Sequence, residues 1–354
     1  MGCAALTTGE WKQIEHLRDD EVQWRDIANR FEVNANSLRR AWSERKHKPM
    51  GRVLTPKPAA WNERAIVIPS FEDDMSKIES AIANLRMLGR PAIIKLGSDY
   101  HFGDHDVRAI ALNIEVERTL QPDMSIDNGD VADLPTLSNF ALSRGVPLSS
   151  ALMQIYAPYT QFVDARVEAS PQTVRVSLSG NHDDRVDRKA NEMWMLGDEI
   201  QQAWAALIRS NGRVLWGGWQ QELDVFELNV RHGERTNMHA AKSTIDSDLA
   251  YGKSVIFGHT HRFGVWVRTQ LIGGRRRVVS SYNVGYSGRN PPAYRARKSR
   301  GSDWVWACAY ATVWTDDWIV DLKPVLFYET KRGGMCCVVG TTVIEVDAKG
   351  RRVG

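Results

Sequence analysis

Four short runs of strand character in this chain each stop at a glycine that is followed within two residues by a side chain able to donate to a metal. They lead into Gly97-Ser98-Asp99, Gly129-Asp130, Gly180-Asn181 and Gly258-His259, and a fifth run, up to Val230, leads into His232-Gly233. A strand that ends this way leaves its polar residue at the carboxyl edge of a sheet, where α/β proteins bind ligands. One Gly-Asp pair is usually only a turn. Five such endings in one chain are hard to obtain unless the fold brings them to a common edge.

The segments between them alternate in character. Ala65–Pro69, Ala92–Leu96, the residues before Asp127 and Val174–Leu178 read as strands. Asp73–Leu88, Asp104–Thr119, Ser149–Glu168 and the region from Met193 to Ile208 read as helices. Strands dominate later, over Arg213–Trp216, Leu223–Val230, Ser254–Phe257, Gly264–Thr269, Arg277–Tyr282, Val313–Val320 and Val338–Val346. Strands alternating with helices and then mainly strands predict an α/β fold with two packed sheets. At 354 residues the chain is long enough for more than one domain.

The first 48 residues stand apart. Trp11, Ile14 and Leu17, then Trp24, Ile27, Ala28 and Phe31, then Leu38 and Trp42 recur at helical spacing. Three short helices with a break at Glu32-Val33-Asn34 before the last resemble a helix-turn-helix of the homeodomain-like sort. Asn36, Ser37, Arg39, Arg40, Arg45 and Lys46 on or after the last helix suit base edges and phosphates. A helical bundle used for protein contact is the alternative. Residues 49–63, with Pro49, Pro56 and Pro58, read as a linker, and residues 64–354 as the larger domain. The net charge of only +3 means that any affinity for DNA or RNA must be local. Residues 287–302, with Arg289, Arg295, Arg297, Lys298 and Arg300, form a basic loop or a solvated insertion.

Four cysteines without a CxxC pair fit a reducing compartment. No secretory start and no apolar run of membrane length are present. A cytoplasmic protein without membrane association is expected.

Aspartate, histidine and asparagine are the donors that suit manganese, iron, zinc, nickel or magnesium. In Asp99-x-His101 and His259-x-His261, residues two apart face the same side if the backbone is extended. Asp130 has two oxygens and can bridge two ions. Asn181 binds without adding charge.

The series Asp-x-His, Gly-Asp-x-x-Asp, Gly-Asn-His-Asp, His-Gly, Gly-His-Thr-His resembles the calcineurin-like metallophosphoesterase family, with specific motifs from about Ala92 to Phe263. The resemblance implies a two-sheet β-sandwich flanked by helices and a hydrolase with two divalent ions, manganese foremost. It implies that Asp99, His101, Asp130 and His261 hold one ion and that Asp130, Asn181, His232 and His259 hold the other. His182 matches the catalytic histidine and Asp133 the carboxylate that orients it. His239 lies close in sequence to His232, but His232-Gly233 after a strand is the better match. Leu134-Pro135 after Asp133 departs from the Ser/Thr protein phosphatase pattern. A DNA-binding module joined to such a domain is similar to phosphoesterases of phage or prophage origin. The expected activity is therefore a nuclease or nucleic-acid phosphoesterase. The alternatives are a phosphatase or phosphodiesterase on small substrates, and a DNA-binding regulator that has lost turnover.

Overall fold

The chain divides into two compact units, residues 1–67 and 68–354. The structure, a computed structural model, describes residues 71–134, 148–192, 197–219, 222–234, 239–247, 252–289, 303–317 and 319–353, and in the first unit residues 27, 29–31 and 38. Ile27 and Leu38 are helical and buried, as apolar positions of packed helices should be. Apart from residues 29–31, the rest of the expected three-helix module lies outside the described residues, including Asn36, Ser37, Arg39, Arg40, Arg45 and Lys46, as do the linker and the expected strand at Ala65–Pro69.

The second unit begins with helix α1 (Phe71–Leu85). Strands β1 (Ala92–Gly97), β2 (Met124–Asn128) and β3 (Val174–Leu178) then run parallel. Parallel neighbours need a crossover, supplied by α2 (Val107–Leu120) and α3 (Leu148–Ala169). The Asp106 side chain caps α2 by accepting from the Arg108 amide at 2.9 Å, which starts the helix later than the sequence pattern at Asp104 predicts. Helices α4 (Asp184–Glu192) and α5 (Gly197–Arg209) precede β4 (Leu215–Trp216), the parallel neighbour of β3. Only Val186 and Ala190 of α4 are buried, so it carries too little apolar periodicity to be read from sequence.

The chain next builds a five-stranded mixed sheet in the order β5-β6-β7-β9-β8. Its members are β5 (Glu222–Val225), β6 (Leu228–Arg231), β7 (Ser254–Phe257), β8 (Phe263–Ile272) and β9 (Arg275–Val284), with α6 (Ala240–Ser247) between β6 and β7. Strands β10 (Ala307–Trp314) and β11 (Ile319–Leu326) return to the first sheet. Its order is β11-β10-β1-β2-β3-β4, with β10 antiparallel to β1. A small antiparallel sheet of β12 (Tyr328–Glu329), β13 (Met335–Val339) and β14 (Thr342–Val346) follows.

Three stretches read as single strands are in fact hairpins. Leu223–Val230 turns at Phe226, whose φ is 53°; Val313–Val320 crosses from β10 into β11; Val338–Val346 turns at Gly340. Alternation survives a tight turn because both arms bury the same face, so periodicity alone misses the break.

Leu96, Ile126 and Val176 of the six-stranded sheet and Val230, Ile256 and Val284 of the five-stranded sheet share one buried cluster. A second cluster contains Tyr100, Phe102, Tyr159, Phe162 and Trp204. A third joins α2 to the small sheet through Leu112, Val116, Met335 and Ile344. Beneath β2 the Arg166 guanidinium, fully buried, meets Glu117 at 2.6 Å and Asp127 at 2.7 Å, while Arg175 reaches Glu117 at 2.7 Å. Cys308, Cys336 and Cys337 are free thiols. No described helix is long and apolar enough to cross a membrane.

Candidate metal centre

Strands of both large sheets end beside one another. Asp99 and His101 follow β1, Asp130 follows β2, and Asn181 and His182 follow β3. His232 follows β6, and His259 and His261 follow β7. Donor atoms of Asp99, His101, Asp130 and His261 all lie within 4.8 Å of one another, and so do those of Asp130, His232 and His259. Asp130 belongs to both groups. Each buried histidine or aspartate of this cluster can serve as a ligand, and together they can hold a metal ion.

In the first group, the His261 Nε2 lies 3.1 Å from Asp99 Oδ1 and 3.2 Å from His101 Nε2. His101 Nε2 is 3.9 Å from both Asp99 Oδ1 and Asp130 Oδ2. In the second, His232 Nε2 is 3.4 Å from Asp130 Oδ2, and the Asn181 side-chain oxygen stands 3.0 Å from His232 Nε2 and 2.6 Å from His259 Nδ1. The His232 Nδ1 faces the Asn128 carbonyl at 2.9 Å, so Nδ1 carries the proton and Nε2 turns toward the aspartate. His232 is fully buried whereas His239 is exposed, and only His232 joins the cluster.

The donor set fits a cation on one further observation. Asp99 Oδ1 is buried without a hydrogen bond of acceptable geometry among the described residues, although an imidazole nitrogen is close. The His101 and His261 Nε2 atoms face each other at 3.2 Å, and a divalent ion among the donors would satisfy both nitrogens and the unpartnered oxygen together.

The backbone does not hold these residues as expected. Asp99, His101, Asp130, His259 and His261 have φ of 53°, 50°, 49°, 68° and 60°, all in the left-handed region. The paired histidines and aspartate therefore converge through tight turns and not through the same-side geometry of an extended strand. Aspartate and histidine are among the few non-glycine residues that tolerate this region, at a cost of about 1–3 kcal/mol each. The neighbouring glycines act mainly by leaving room. At Gly180 a Cβ would collide with Asp130, and at Gly258 with Ser98 and Asp99.

Charge is strongly concentrated here. Burial opposes ionisation of Asp130, yet His232 and His182 beside it hold its carboxyl well below the ordinary range. Burial also opposes protonation of His232, but Asp130 and Asp99 push it up to about 10. His101 is raised by Asp99 and Asp130 against its burial, whereas burial lowers His259 and His261.

His182 sits at the edge, half-buried like Asn181 and His259. Its Nδ1 is 3.1 Å from Asp133 Oδ1, and its Nε2 is 3.9 Å from Asp130 Oδ2. Burial works against the Asp133 charge, but the bond from His182 together with the nearby His101 and Arg185 holds the carboxyl below its ordinary value. Arg185 Nη1 lies 3.6 Å from the same oxygen.

Several contributors carry no sequence signal of their own. Ser98 Oγ donates to Asp99 Oδ2 at 2.5 Å, and the His259 amide donates to that oxygen at 3.0 Å. The Tyr286 ring stacks on His261 at 4.4 Å, and Trp304 meets the same imidazole edge-on at 4.3 Å. Asp183 accepts from the amides of Gly180 at 2.8 Å and of Val131 and Ala132 at 3.4 Å. Burial and the nearby Asp130 push its carboxyl up to about 7. Asp104 receives Arg289 at 3.3 Å, and His105 packs on Phe102. Of the expected basic loop, residues 290–302 lie outside the described residues.

No family model matches this chain, and no curated protein matches it. Among solved structures, TT1561 of Thermus thermophilus is similar at 9% identity over 66% of this chain and 98% of that one, with a TM-score of 0.26. A likeness of that size carries no argument here.

Proposed function

We propose that this chain is a calcineurin-like metallophosphoesterase that hydrolyses phosphoesters with two divalent ions, manganese foremost. The two larger sheets form its β-sandwich, flanked by helices, and nucleic acid is its substrate. The observation that carries this reading is the position of Asp130 in both donor groups, with His182 and its Asp133 partner beside them. Asp99, His101, Asp130 and His261 would hold one ion, and Asp130, Asn181, His232 and His259 the other. Ions bound there would act as Lewis acids on water and on the phosphoryl oxygens.

The protein's own groups do the rest. Asp133 fixes His182 with Nδ1 toward the carboxylate, which leaves Nε2 to carry a proton toward the leaving oxygen. The residues of the N-terminal module, Asn36, Ser37, Arg39, Arg40, Arg45 and Lys46, would bring DNA or RNA to the site.

The test is a substrate panel of single- and double-stranded DNA, RNA and a chromogenic diester, with and without manganese. Manganese-dependent cleavage of a polynucleotide that is lost in His182→Ala is expected. Full activity in chelator would sink the reading. Turnover of the chromogenic diester alone would move the substrate to small phosphoesters. Arg39→Ala with Arg40→Ala should weaken polynucleotide binding and flatten its salt dependence.

A further inference from the structure

Tyr100 stands between the donors Asp99 and His101, belongs to neither donor group, and is fully buried. Its two neighbours both hold left-handed φ, 53° and 50°. Such a turn persists only where its surroundings over-determine it. The backbone supplies part of that restraint: the Asp99 amide donates to the Gly129 carbonyl and the His101 amide to the Asp130 carbonyl, each at 3.1 Å. Tyr100 adds a restraint through its side chain.

That side chain folds back over the end of β1. Gly97 is the register partner of Asp127 on β2, so the two positions share one face of the sheet. A Cβ at Gly97 would strike the Tyr100 hydroxyl, and its absence leaves the ring room to reach Asp127. The hydroxyl donates to Asp127 Oδ1 at 2.9 Å and accepts from Lys95 Nζ at 3.2 Å, while the ring packs 5.0 Å from Phe162. Asp127 is held in turn. Arg166 Nη1 spans its two oxygens at 2.7 and 3.0 Å, and the same guanidinium binds Glu117 and Ser125, each at 2.6 Å. Burying these charges costs desolvation that apolar packing would avoid, so stability alone is a poor reason for the network. What it supplies is a fixed point beside the turn.

We propose that Tyr100 is a positioning residue of the metal centre: its hydroxyl ties the turn that presents Asp99 and His101 to the buried Asp127–Arg166 pair, and so sets the affinity of the site they form with Asp130 and His261. The proposal rests on the metal-binding part of the reading above and adds to it a residue that acts only through others. Asn181, His232 and His259 of the other donor group follow β3, β6 and β7 and do not hang on this anchor.

The test sets metal affinity against stability. Full-length protein is stripped by chelator, dialysed and titrated with manganese, free ion being counted by electron paramagnetic resonance, and each variant is also unfolded in urea. Tyr100→Phe keeps the ring and removes only the hydroxyl. It should bind one of the two ions about 10–100-fold more weakly, the range for partners that orient a ligand, and the other as before. Glu117→Gln loosens the same network at its far end. It should lose stability yet keep both manganese affinities, a split that a purely structural role for Tyr100 would not produce. Gly97→Ala deletes no polar group but crowds the same hydroxyl, so it should reproduce the selective loss and serves in place of Tyr100→Phe if that variant does not fold. Wild-type affinity for both ions in either variant overturns the proposal, as does an equal loss in Glu117→Gln. A wild-type protein that binds no manganese overturns the metal reading itself and the proposal with it, whereas the other outcomes leave that reading standing.

Discussion

Asp130 and His182 meet twice. The His182 amide donates to Asp130 Oδ1 at 2.7 Å, while the His182 imidazole Nε2 stands 3.9 Å from Asp130 Oδ2. One carboxylate thus fixes the backbone of the catalytic candidate with one oxygen and faces the histidine cluster with the other.

This double role separates two substitutions. Asp130→Ala removes both the shared donor and the acceptor for the His182 amide. Dialysis against manganese followed by elemental analysis should give two ions per wild-type chain and fewer than one for the variant. Asp130→Asn keeps an oxygen for the amide and should retain the fold while still losing metal.

His182→Ala leaves the donor groups in place. Metal content should be unchanged, while kcat on a chromogenic diester falls by about 10²–10⁴-fold, the range expected for loss of a positioned acid or base. Asp133→Asn should give a smaller loss in kcat, since the imidazole remains but is no longer held by a charge.

Protons and cations compete for the same nitrogens. The aspartates raise His101 and bring His232 to about 10, so His232 carries a proton at neutral pH that an ion must displace, and the upward shift of His101 adds to that competition. Manganese affinity should therefore rise from pH 6 to pH 9. Calorimetry in buffers of different ionisation enthalpy should show proton release on binding, and a pH-independent affinity with no release would contradict it.

Tyr286 lies flat on the His261 ring. Tyr286→Leu should free that imidazole to rotate and lower metal affinity by about tenfold, at the lower end of the range for partners that orient a ligand. A competitive titration with a manganese-binding dye reads this directly.

Away from the site, Glu117 joins Arg166 and Arg175 in a buried network. Burial opposes its charge, but Arg166, Lys95 and Arg175 hold its carboxyl below the ordinary value. Its stabilising contribution is then present above the unfolded value of about 4.3 and is lost as pH falls through the lower folded one. Glu117→Gln should cost about 3–5 kcal/mol in urea unfolding at pH 7, because it leaves Arg166 underpaired. The gap from the wild type should narrow below about pH 4.

The sequence was most readable where chemistry and burial coincide. Val174–Leu178 appears as a strand with the predicted ends because its run is buried almost throughout. The donors His232 and His259 stand out because glycine and an apolar run flank them. The geometry of Asp99 and His101 was not readable, since their left-handed φ leaves no mark in residue spacing. Tyr286 was invisible for a different reason: it reaches His261 from the far end of β9, and no local pattern encodes a contact between such distant residues.

Those left-handed turns also limit how this centre can be transplanted. A designer who copied the side chains of Asp99, His101, Asp130, His259 and His261 onto ordinary strand ends would obtain the right atoms aimed in the wrong directions. The portable unit is the set of turns, with a glycine gap at Gly180 that lets the turns after β2 and β3 meet and one at Gly258 that lets the two sheets approach. Any graft must carry that backbone along with its ligands.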